Sequence, residues 1–374
     1  MKKAVIVAIM AVAIANSGVF AQAPVQKTWA DDIKFKGDVR YRHETIDEEG
    51  KDKRNRDRLR ARLAAEAKVN DSVNAVIGLS SGDADPVSSN QTETDGFTRK
   101  DVKIELMYLD WTLIEEQLKT TFGKMKNPFF GPTDLIWDGD LNPEGIAAGY
   151  KIGDDSASLV ANAGYLYVME RSSAPESMLY AGQIKGTVKM GDNLSFMAGG
   201  GYYQYDNMDG QGVFDYAKAN NAYGNSTANK VSGSTTNKLY TMDYKPIEYF
   251  AELTWYTGIA PISLVAHQVA NSEADEFDSG HQYGFVFGKC ANPKTYEFGI
   301  YQAELEKDAV VGAFTDSDRW GGGADGKGMK YQAKYAISKN YQFNATFFSG
   351  EKVISNDSKT KDYDRLQLDL VAKF

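Results

Sequence analysis

Five arginines lie at alternate positions near the start of the sequence. Arg58, Arg60 and Arg62 occur in "DRLRARLAAEAKV" (57–69), and Arg40 and Arg42 occur in an earlier segment. Side chains at alternate positions of a β-strand project from the same face. A row of arginines on one face provides fixed positive charge, which can attract anions and orient polar solutes.

A second set of charges lies in the segment 126–145, "KNPFFGPTDLIWDGDLNPEG". Its carboxylates are Asp134, Asp138, Asp140 and Glu144, and its large apolar residues are Phe129, Phe130, Leu135, Ile136 and Trp137. Because such apolar side chains prefer burial, we expect this connection to fold inward. Its carboxylates would then face the five arginines and create a transverse electric field in a constriction. The alternative is a solvated acidic loop beside a merely structural arginine row.

The sequence contains no recognisable catalytic or metal-binding motif. A hydrolase, the main enzymatic alternative, would need a nucleophile beside an oriented base. The histidines are His43, His267 and His281, and they lie on separate predicted strands or rims. We interpret them as hydrated polar groups. We therefore predict a protein that is not an enzyme and has no catalytic residues, no metal site and no cofactor.

Two glycine-rich or acidic segments resemble binding loops without meeting their requirements. "GGGADGKG" (321–328) places Gly321, Gly326 and Lys327 as in a phosphate-binding loop, but Gly328 replaces the required Ser or Thr. "DSDRW" (316–320) lacks the full ligand spacing of a calcium loop. We interpret the first segment as a flexible external loop and the second as a solvated acidic loop.

Composition and charge exclude several classes of protein. The chain has 42 basic and 51 acidic residues and a formal net charge of −9, which argues against nucleic acid as a partner. A single cysteine, Cys290, rules out an intramolecular disulfide framework. Glycine and tyrosine are plentiful, with 35 and 22 residues, and such a composition suits an all-β chain.

The N-terminal segment predicts export. Lys2 and Lys3 precede an apolar stretch at 4–15, and "VFA" at 19–21 offers a small-residue cleavage site. We therefore interpret residues 1–21 as a signal peptide. No later apolar run approaches the roughly 18 residues of a membrane helix, and no Pro-rich or Ser-rich linker divides the rest. Residues 22–374 are accordingly predicted to form a single domain.

Alternation of apolar and polar residues recurs along the whole chain and predicts sixteen strands. Most have about the 9–11 residues that a tilted membrane strand needs. The candidates are 33–44, 57–69, 72–80, 102–112, 117–126, 146–152, 157–169, 178–190, 193–206, 246–258, 260–271, 280–289, 294–305, 328–338, 340–351 and 362–374.

The connections between these strands alternate between short and long. Tight turns such as 153–156 and 190–193 alternate with long loops such as 81–101 and 207–245. One rim of turns and one rim of loops is typical of an outer-membrane barrel. We predict an all-β, transmembrane antiparallel β-barrel of about sixteen strands with an inward-folded constriction loop. A secreted sandwich or β-helix is the alternative.

The barrel explains the period of the arginines. Apolar residues would face lipid and arginines would face a water-filled interior, which sixteen strands are wide enough to enclose. Reversing the faces would place each arginine in hydrocarbon, at about 2–4 kcal/mol near the midplane.

Two motifs, "GKMKNPFF" (123–130) and "DLIWDGDLNPEG" (134–145), resemble the bacterial family described as "putative porin". The terminal "LDLVAKF", ending in Phe374, resembles the C-terminal recognition signal of outer-membrane barrels. The resemblance implies a Gram-negative outer-membrane porin for passive diffusion of ions and small hydrophilic solutes, in contact with lipid and lipopolysaccharide. By analogy with other sixteen-strand porins, it implies a homotrimer.

Two alternatives to a passive porin stay open at this point. One is a substrate-selective channel in which tyrosines and arginines bind a particular sugar or anion. The other is an adhesive or structural barrel whose long loops, especially 207–245, contact a surface. Ion selectivity is also open, because the arginine row favours anions whereas the acidic loops and the net charge favour cations.

Overall fold

The computed structural model describes residues 32–214, 216 and 220–374. The predicted signal peptide at 1–21 and the start of the predicted domain at residue 22 lie outside these described residues. The strands in the described part are β1 (Ile33–Glu48), β2 (Arg54–Lys68), β3 (Val73–Ser81), β4 (Gln91–Thr92), β5 (Val102–Ile114), β6 (Leu118–Lys124), β7 (Glu144–Gly153), β8 (Ala157–Met169), β9 (Ser177–Met190), β10 (Leu194–Asp206), β11 (Thr227–Ser232), β12 (Thr235–Tyr240), β13 (Pro246–Tyr256), β14 (Pro261–Asn271), β15 (Ser279–Gly288), β16 (Tyr296–Leu305), β17 (Gly326–Ser338), β18 (Tyr341–Lys352) and β19 (Lys361–Lys373).

Sixteen of these described strands form one closed antiparallel barrel. The barrel closes where β1 pairs with β19, with Val39 opposite Ala372 and Thr45 opposite Leu366. The other three strands are not among the sixteen that form the barrel wall. The two-residue strand β4 pairs with β2, and β11 pairs with β12 in a separate hairpin. The predicted fold class is confirmed, and all sixteen predicted strands are present.

The connections alternate between tight turns and longer loops, as predicted. In the turn between β2 and β3, the Asn70 side-chain oxygen accepts hydrogen bonds from the backbone N–H groups of Ser72 and Val73, each at 2.9 Å. Such local side-chain contacts replace the ladder hydrogen bonds that a turn loses. The opposite rim carries the long loops 82–101, 125–143, 207–245 and 306–325.

The two faces of the barrel wall differ in polarity. Val39 and Leu59 are 48% and 36% exposed on the outer face, whereas Arg40 and Arg60 are only 9% and 8% exposed on the inner face. The period of two therefore outweighs the helix propensity of the Leu, Ala, Arg and Glu residues in β2. In the described part of the chain, no helix combines the length and the apolar character needed to cross a membrane.

The connection between β6 and β7, here called the constriction loop (125–143), folds into the barrel. Phe129, Leu135, Ile136 and Trp137 are all buried. The inward loop that the apolar residues predicted is therefore present. The loop is held in the interior because the Phe129 ring packs against Tyr203 of β10 and lies beside Gly164 of β8.

A second connection, here called the second inward loop (306–325), also lies within the fold, with Ala309, Val310 and Val311 buried. The interpretation of "GGGADGKG" as a flexible external loop was wrong, because Gly323 is buried and β17 begins at Gly326. Gly323 has φ 97°, and a Cβ there would lie 2.4 Å from the Tyr223 carbonyl oxygen. Glycine therefore allows this close approach between two loops.

Candidate functional site

Three of the predicted arginines are neutralised by carboxylates on the barrel wall itself. Arg42 Nε and Nη2 donate hydrogen bonds to the two oxygens of Asp369 at 2.7 and 2.9 Å. Arg60 Nη2 donates to Asp38 Oδ1 at 2.8 Å, and Arg62 Nε donates to Asp38 Oδ2 at 2.7 Å. Asp38 thus lies between two arginines of β2, and the arginine row is not bare positive charge.

Arg58 belongs to a neighbouring cluster around a buried glutamate. Glu44 is 0% exposed and accepts hydrogen bonds from Arg56 and from Arg365, the latter at 2.6 Å. Arg58 Nη1 lies 3.8 Å from Glu44 Oε1, and its Nη2 donates a long hydrogen bond of 3.4 Å to the Asn90 carbonyl oxygen. Arg58 is therefore held less tightly than Arg56 or Arg365.

Arg40, like Arg58, is held by fewer contacts than Arg42, Arg60 and Arg62. Its Nη2 donates to Asn90 Oδ1 at 2.6 Å, and its Nη1 lies 3.8 Å from Asp369 Oδ2, beyond hydrogen-bond distance. Its buried Nε has no hydrogen-bond partner among the described residues. Arg40 therefore keeps unused hydrogen-bond donors inside the barrel.

Asp140 is the loop carboxylate that meets the predicted arginines. It accepts a hydrogen bond from Arg62 Nη1 at 3.1 Å and lies 3.6 Å from Arg60 Nη1. Ser89 Oγ, from the loop 82–101, also donates to Asp140 at 3.2 Å. The structure thus brings one carboxylate of the constriction loop into contact with two arginines of β2.

Asp134 lies beside other cations than those predicted. Arg319 Nη2 donates to it at 2.6 Å, Gln282 Nε2 donates at 3.1 Å, and Lys330 also forms an ion pair with it. Burial by itself would raise the pKa of Asp134, but Arg319 and Lys330 outweigh that effect and hold the pKa well below its usual range. Asp134 is therefore a fixed negative charge.

Asp138 forms no ion pair with any described residue. Its oxygens accept hydrogen bonds from the backbone N–H groups of Asp140 at 2.7 Å and Ser317 at 2.9 Å. Burial, together with repulsion from Asp316 and Asp140, raises the pKa of Asp138 well above its usual range. A positive charge next to this carboxylate would be strongly favoured.

The second inward loop adds two carboxylates that sequence reasoning misplaced. Asp318 lies 2.7 Å from Arg365 Nη2 and 3.1 Å from Arg42 Nη1, so the interpretation of 316–320 as a solvated acidic loop was wrong. Burial would raise the pKa of Asp318, but Arg365 and Arg42 hold it below its usual value. Burial and the nearby Asp134 raise the pKa of Asp316 to about 7.

Glu144 lies apart from these residues. It begins β7 on the same face as Ile146, which is 44% exposed on the outer side of the wall. Its side chain is 61% exposed and pairs with Lys124 at 3.0 Å. Because strand residues alternate between faces, the position of Glu144 directs it outward. Glu144 therefore lies outside the candidate constriction.

Polar hydrogen bonds fix the constriction loop against the wall. The Phe130 backbone N–H donates to Gln183 Oε1 and its carbonyl accepts from Gln183 Nε2, both at 2.8 Å. His267 contacts Thr133 Oγ1 through Nδ1 and Glu248 Oε2 through Nε2, both at 2.9 Å. His267 is 1% exposed, so its interpretation as a hydrated rim histidine was wrong.

The charged residues surround a cavity of about 300 Å³ within the barrel. Its lining combines cations, carboxylates and neutral polar groups. These include Arg40, Arg42, Arg60, Lys330, Asp134, Asp138, Asp140, Asp316, Asp318, Asp369, Gln332, Asn344, Thr346 and Gln367. Carboxylates of the two inward loops thus share one cavity with cations of the wall.

A second cavity of about 400 Å³ lies towards the loop rim and includes Arg56 and Arg58 in its lining. The two cavities share Val87, Ser317 and Asp318. Ser317 Oγ donates a hydrogen bond to the Val87 carbonyl oxygen at 2.9 Å, so a contact between two loops lies where the cavities adjoin. Among the described residues, no group of three or more His, Cys, Asp or Glu could hold a metal ion.

Comparison with known proteins gives both a family and a fold. The family model described as "Putative porin" matches residues 47–235 and 248–374. No curated protein matches the sequence. OprB of Pseudomonas putida, in a high-pH structure, is 12% identical over 92% of this chain and 95% of its own, with a TM-score of 0.59.

The trimer form of OmpT, an outer membrane protein of Vibrio cholerae, is 16% identical over 91% of this chain and 99% of its own, with a TM-score of 0.52. OmpF of Salmonella typhi, in complex with daunomycin, is 10% identical over 93% of this chain and 100% of its own, with a TM-score of 0.53. At such identities the similarity shows a shared barrel fold.

Proposed function

Because the chain belongs to the family described as "Putative porin", we propose that it forms a water-filled channel for passive diffusion of ions and small hydrophilic solutes. One observation carries this proposal: a polar, charged cavity of about 300 Å³ lies inside a closed barrel. The outer face of that barrel exposes large apolar residues such as Phe35, Ile77 and Leu264. An apolar exterior around a polar interior is the arrangement of a membrane channel.

The same features support a location in the outer membrane of a Gram-negative bacterium. Residues 1–21 would direct export, and residues 22–374 would form the barrel. The exposed apolar face would contact outer-membrane lipid, with lipopolysaccharide around the loop rim. OmpT of Vibrio cholerae, which has the same fold, has been solved in a trimer form, and this supports a homotrimer here.

The constriction would be formed by two opposed sets of charges. Arg40, Arg42, Arg58, Arg60 and Arg62 belong to the wall, whereas Asp134, Asp138 and Asp140 belong to the constriction loop. A solute between them would be oriented by a transverse field. The wall carboxylates Asp38 and Asp369 weaken the positive side, so the balance of charge, rather than the arginine row alone, would set ion preference.

A substrate-selective channel is the second candidate. The cavity lining includes four neutral polar side chains, Gln332, Asn344, Thr346 and Gln367, which could hydrogen-bond to solute hydroxyl groups. This uncharged part of the lining favours selectivity for a polar solute, such as a sugar, over simple ion passage. The protein is proposed to be a passive channel and not an enzyme.

Conductance across a planar bilayer tests the proposal. A passive channel predicts stepwise openings with a linear current–voltage relation. Block by one solute at low concentration would favour the selective channel instead. A correctly inserted barrel that carries no current would contradict both candidates.

A further inference from the structure

We propose that the 300 Å³ cavity is a binding site for small zwitterions, with the ammonium group against Asp138 and the carboxylate against Arg40. This inference rests on the proposed channel function, because it names the solutes that the constriction favours. Both residues line the same cavity, one from the constriction loop and the other from β1.

Arg40 provides the positive side of the site, because the neighbouring arginines Arg42 and Arg60 are already paired with carboxylates. Arg42 is held by Asp369 and Asp318, and Arg60 is held by Asp38. Arg40 is 9% exposed, and its Nη1 lies 3.8 Å from the nearest carboxylate oxygen of Asp369, beyond hydrogen-bond distance. A solute carboxylate could accept charge-assisted hydrogen bonds from its guanidinium group.

The negative side is Asp138, supported by Asp316. Asp138 accepts two backbone hydrogen bonds but has no cation partner among the described residues. Asp316 forms one ion pair within the described part of the chain, with Arg319 at 3.5 Å. Burial and the nearby Asp316 favour the protonated form of Asp138, and a solute ammonium group would favour the ionised carboxylate in its place.

Arg40 forms a positive pole in the cavity lining and Asp138 with Asp316 a negative pole, and this combination selects zwitterions over singly charged solutes. A solute anion would compensate Arg40 but face the carboxylates of the loops, and a solute cation would do the reverse. A zwitterion compensates both, so that neither buried charge is left without a partner. The cavity has the volume of about ten water molecules at ~30 Å³ each, which is enough for a molecule the size of alanine.

Block of the ion current by four solutes of equal size tests the inference. Alanine is a zwitterion at pH 7, lactate an anion, alaninamide a cation and lactamide neutral, and each has the same number of non-hydrogen atoms. In a fixed potassium chloride background, we expect alanine to half-block the current at about one-tenth of the lactamide concentration, which corresponds to one charge-assisted contact.

Two variants test which residue binds each charged group of the solute. Asp138→Asn removes the ammonium side and should bring the half-blocking concentration of alanine close to that of lactate. Arg40→Gln removes the carboxylate side and should bring it close to that of alaninamide. Asp275→Asn and Arg99→Gln, which change exposed loop residues, should leave all four values unchanged. If Asp138→Asn does not fold, Asp316→Asn weakens the same pole and should raise the alanine value.

Equal half-blocking concentrations for the four solutes in a conducting channel would overturn the inference while the channel function stands. An unchanged preference for alanine in both pole variants would also overturn it. A wild-type barrel that inserts but carries no current would overturn the proposed function, and the inference with it.

Discussion

Glu44 of β1 and Arg365 of β19 are joined inside the barrel at the seam where its first and last strands pair. Arg365 Nη2 and Nε donate hydrogen bonds to Glu44 Oε2 at 2.6 and 3.2 Å. Arg56 of β2 donates to the other oxygen of the same carboxylate. One fully buried side chain therefore links three neighbouring strands, and the stability of this part of the barrel depends on its negative charge.

Glu44→Gln should destabilise the barrel strongly. The substitution leaves Arg56 and Arg365 without their anion in a buried site, and breaking a buried ion pair in this way costs about 3–5 kcal/mol. The measurement is the free energy of unfolding, from urea titration of the protein in phospholipid vesicles. As a control, Glu66→Gln removes the pair with Lys36, which is largely exposed, and should have only a small effect. Equal losses from the two substitutions would argue against the role of Glu44.

Replacing Arg58, Arg60 and Arg62 together with Ala should shift the reversal potential towards cation selectivity. The change removes three positive charges and leaves Asp38 and Asp140 without those partners. A unit charge about 4 Å from an ion contributes about 1 kcal/mol in water, so we expect the cation-to-anion permeability ratio to rise about fivefold or more.

The measurement is the zero-current potential in a potassium chloride gradient. Arg99→Ala, on the exposed loop 82–101, provides the matched control and should leave that potential unchanged. If the triple variant retains the wild-type potential, the arginines of β2 do not control ion passage.

The barrel could be predicted from sequence because period two is a local property. In β2, Leu59 faces outward and Arg60 inward, and the alternation alone fixes this assignment. The charge partners depend instead on register between strands. Arg42 is directly opposite Asp369, and Asp38 is opposite Arg62, as only the pairing of β1 with its two neighbours reveals. Opposite charges at directly paired positions would have been the signal.

In the two inward loops, apolar residues predict burial whereas acidic residues predict exposure to solvent. The constriction loop was predicted from its aromatic residues. The second inward loop contains a similar apolar run at 309–311, but the acidic segment 316–320 suggested solvent. Asp318 lies inside the fold because Arg42 and Arg365 compensate its charge, whereas Asp316, 3.5 Å from Arg319, is buried with a raised pKa. Charged residues can be buried when they are paired, and Arg42 and Arg365 are distant from Asp318 in sequence.

Phe129→Ala should loosen the constriction loop and enlarge the channel. Phe129 is 6% exposed, and its ring lies 5.4 Å from that of Tyr203 in an edge-to-face arrangement. Removing a buried phenyl ring lowers the free energy of unfolding by about 3–5 kcal/mol. We expect single-channel recordings to show a larger and noisier conductance. Phe35→Ala, which removes a ring that is 65% exposed on the outer face, should not alter the conductance. A wild-type conductance in both variants would mean that the loop does not limit the current.

Raising the pH from 6 to 8 should increase cation selectivity, because the pKa of Asp316 is raised to about 7 by burial and by Asp134. Lys330 and Arg319 oppose this shift, and Asp318 reinforces it. Above pH 7, Asp316 gains a negative charge in the cavity lining.

The contribution of Asp316 to the stability of the fold should fall as the pH rises from 3.8 to about 7. Between the ordinary value of 3.8 and about 7, the folded protein retains a proton on Asp316 that the unfolded chain releases. The contribution of this group to stability is therefore complete below the lower value and is lost as the pH rises towards the upper one.

Asp316→Asn should remove most of the pH dependence of the reversal potential between pH 6 and 8 and give values close to those of the wild type at pH 6. A variant that keeps the full pH response would assign the titration to another group.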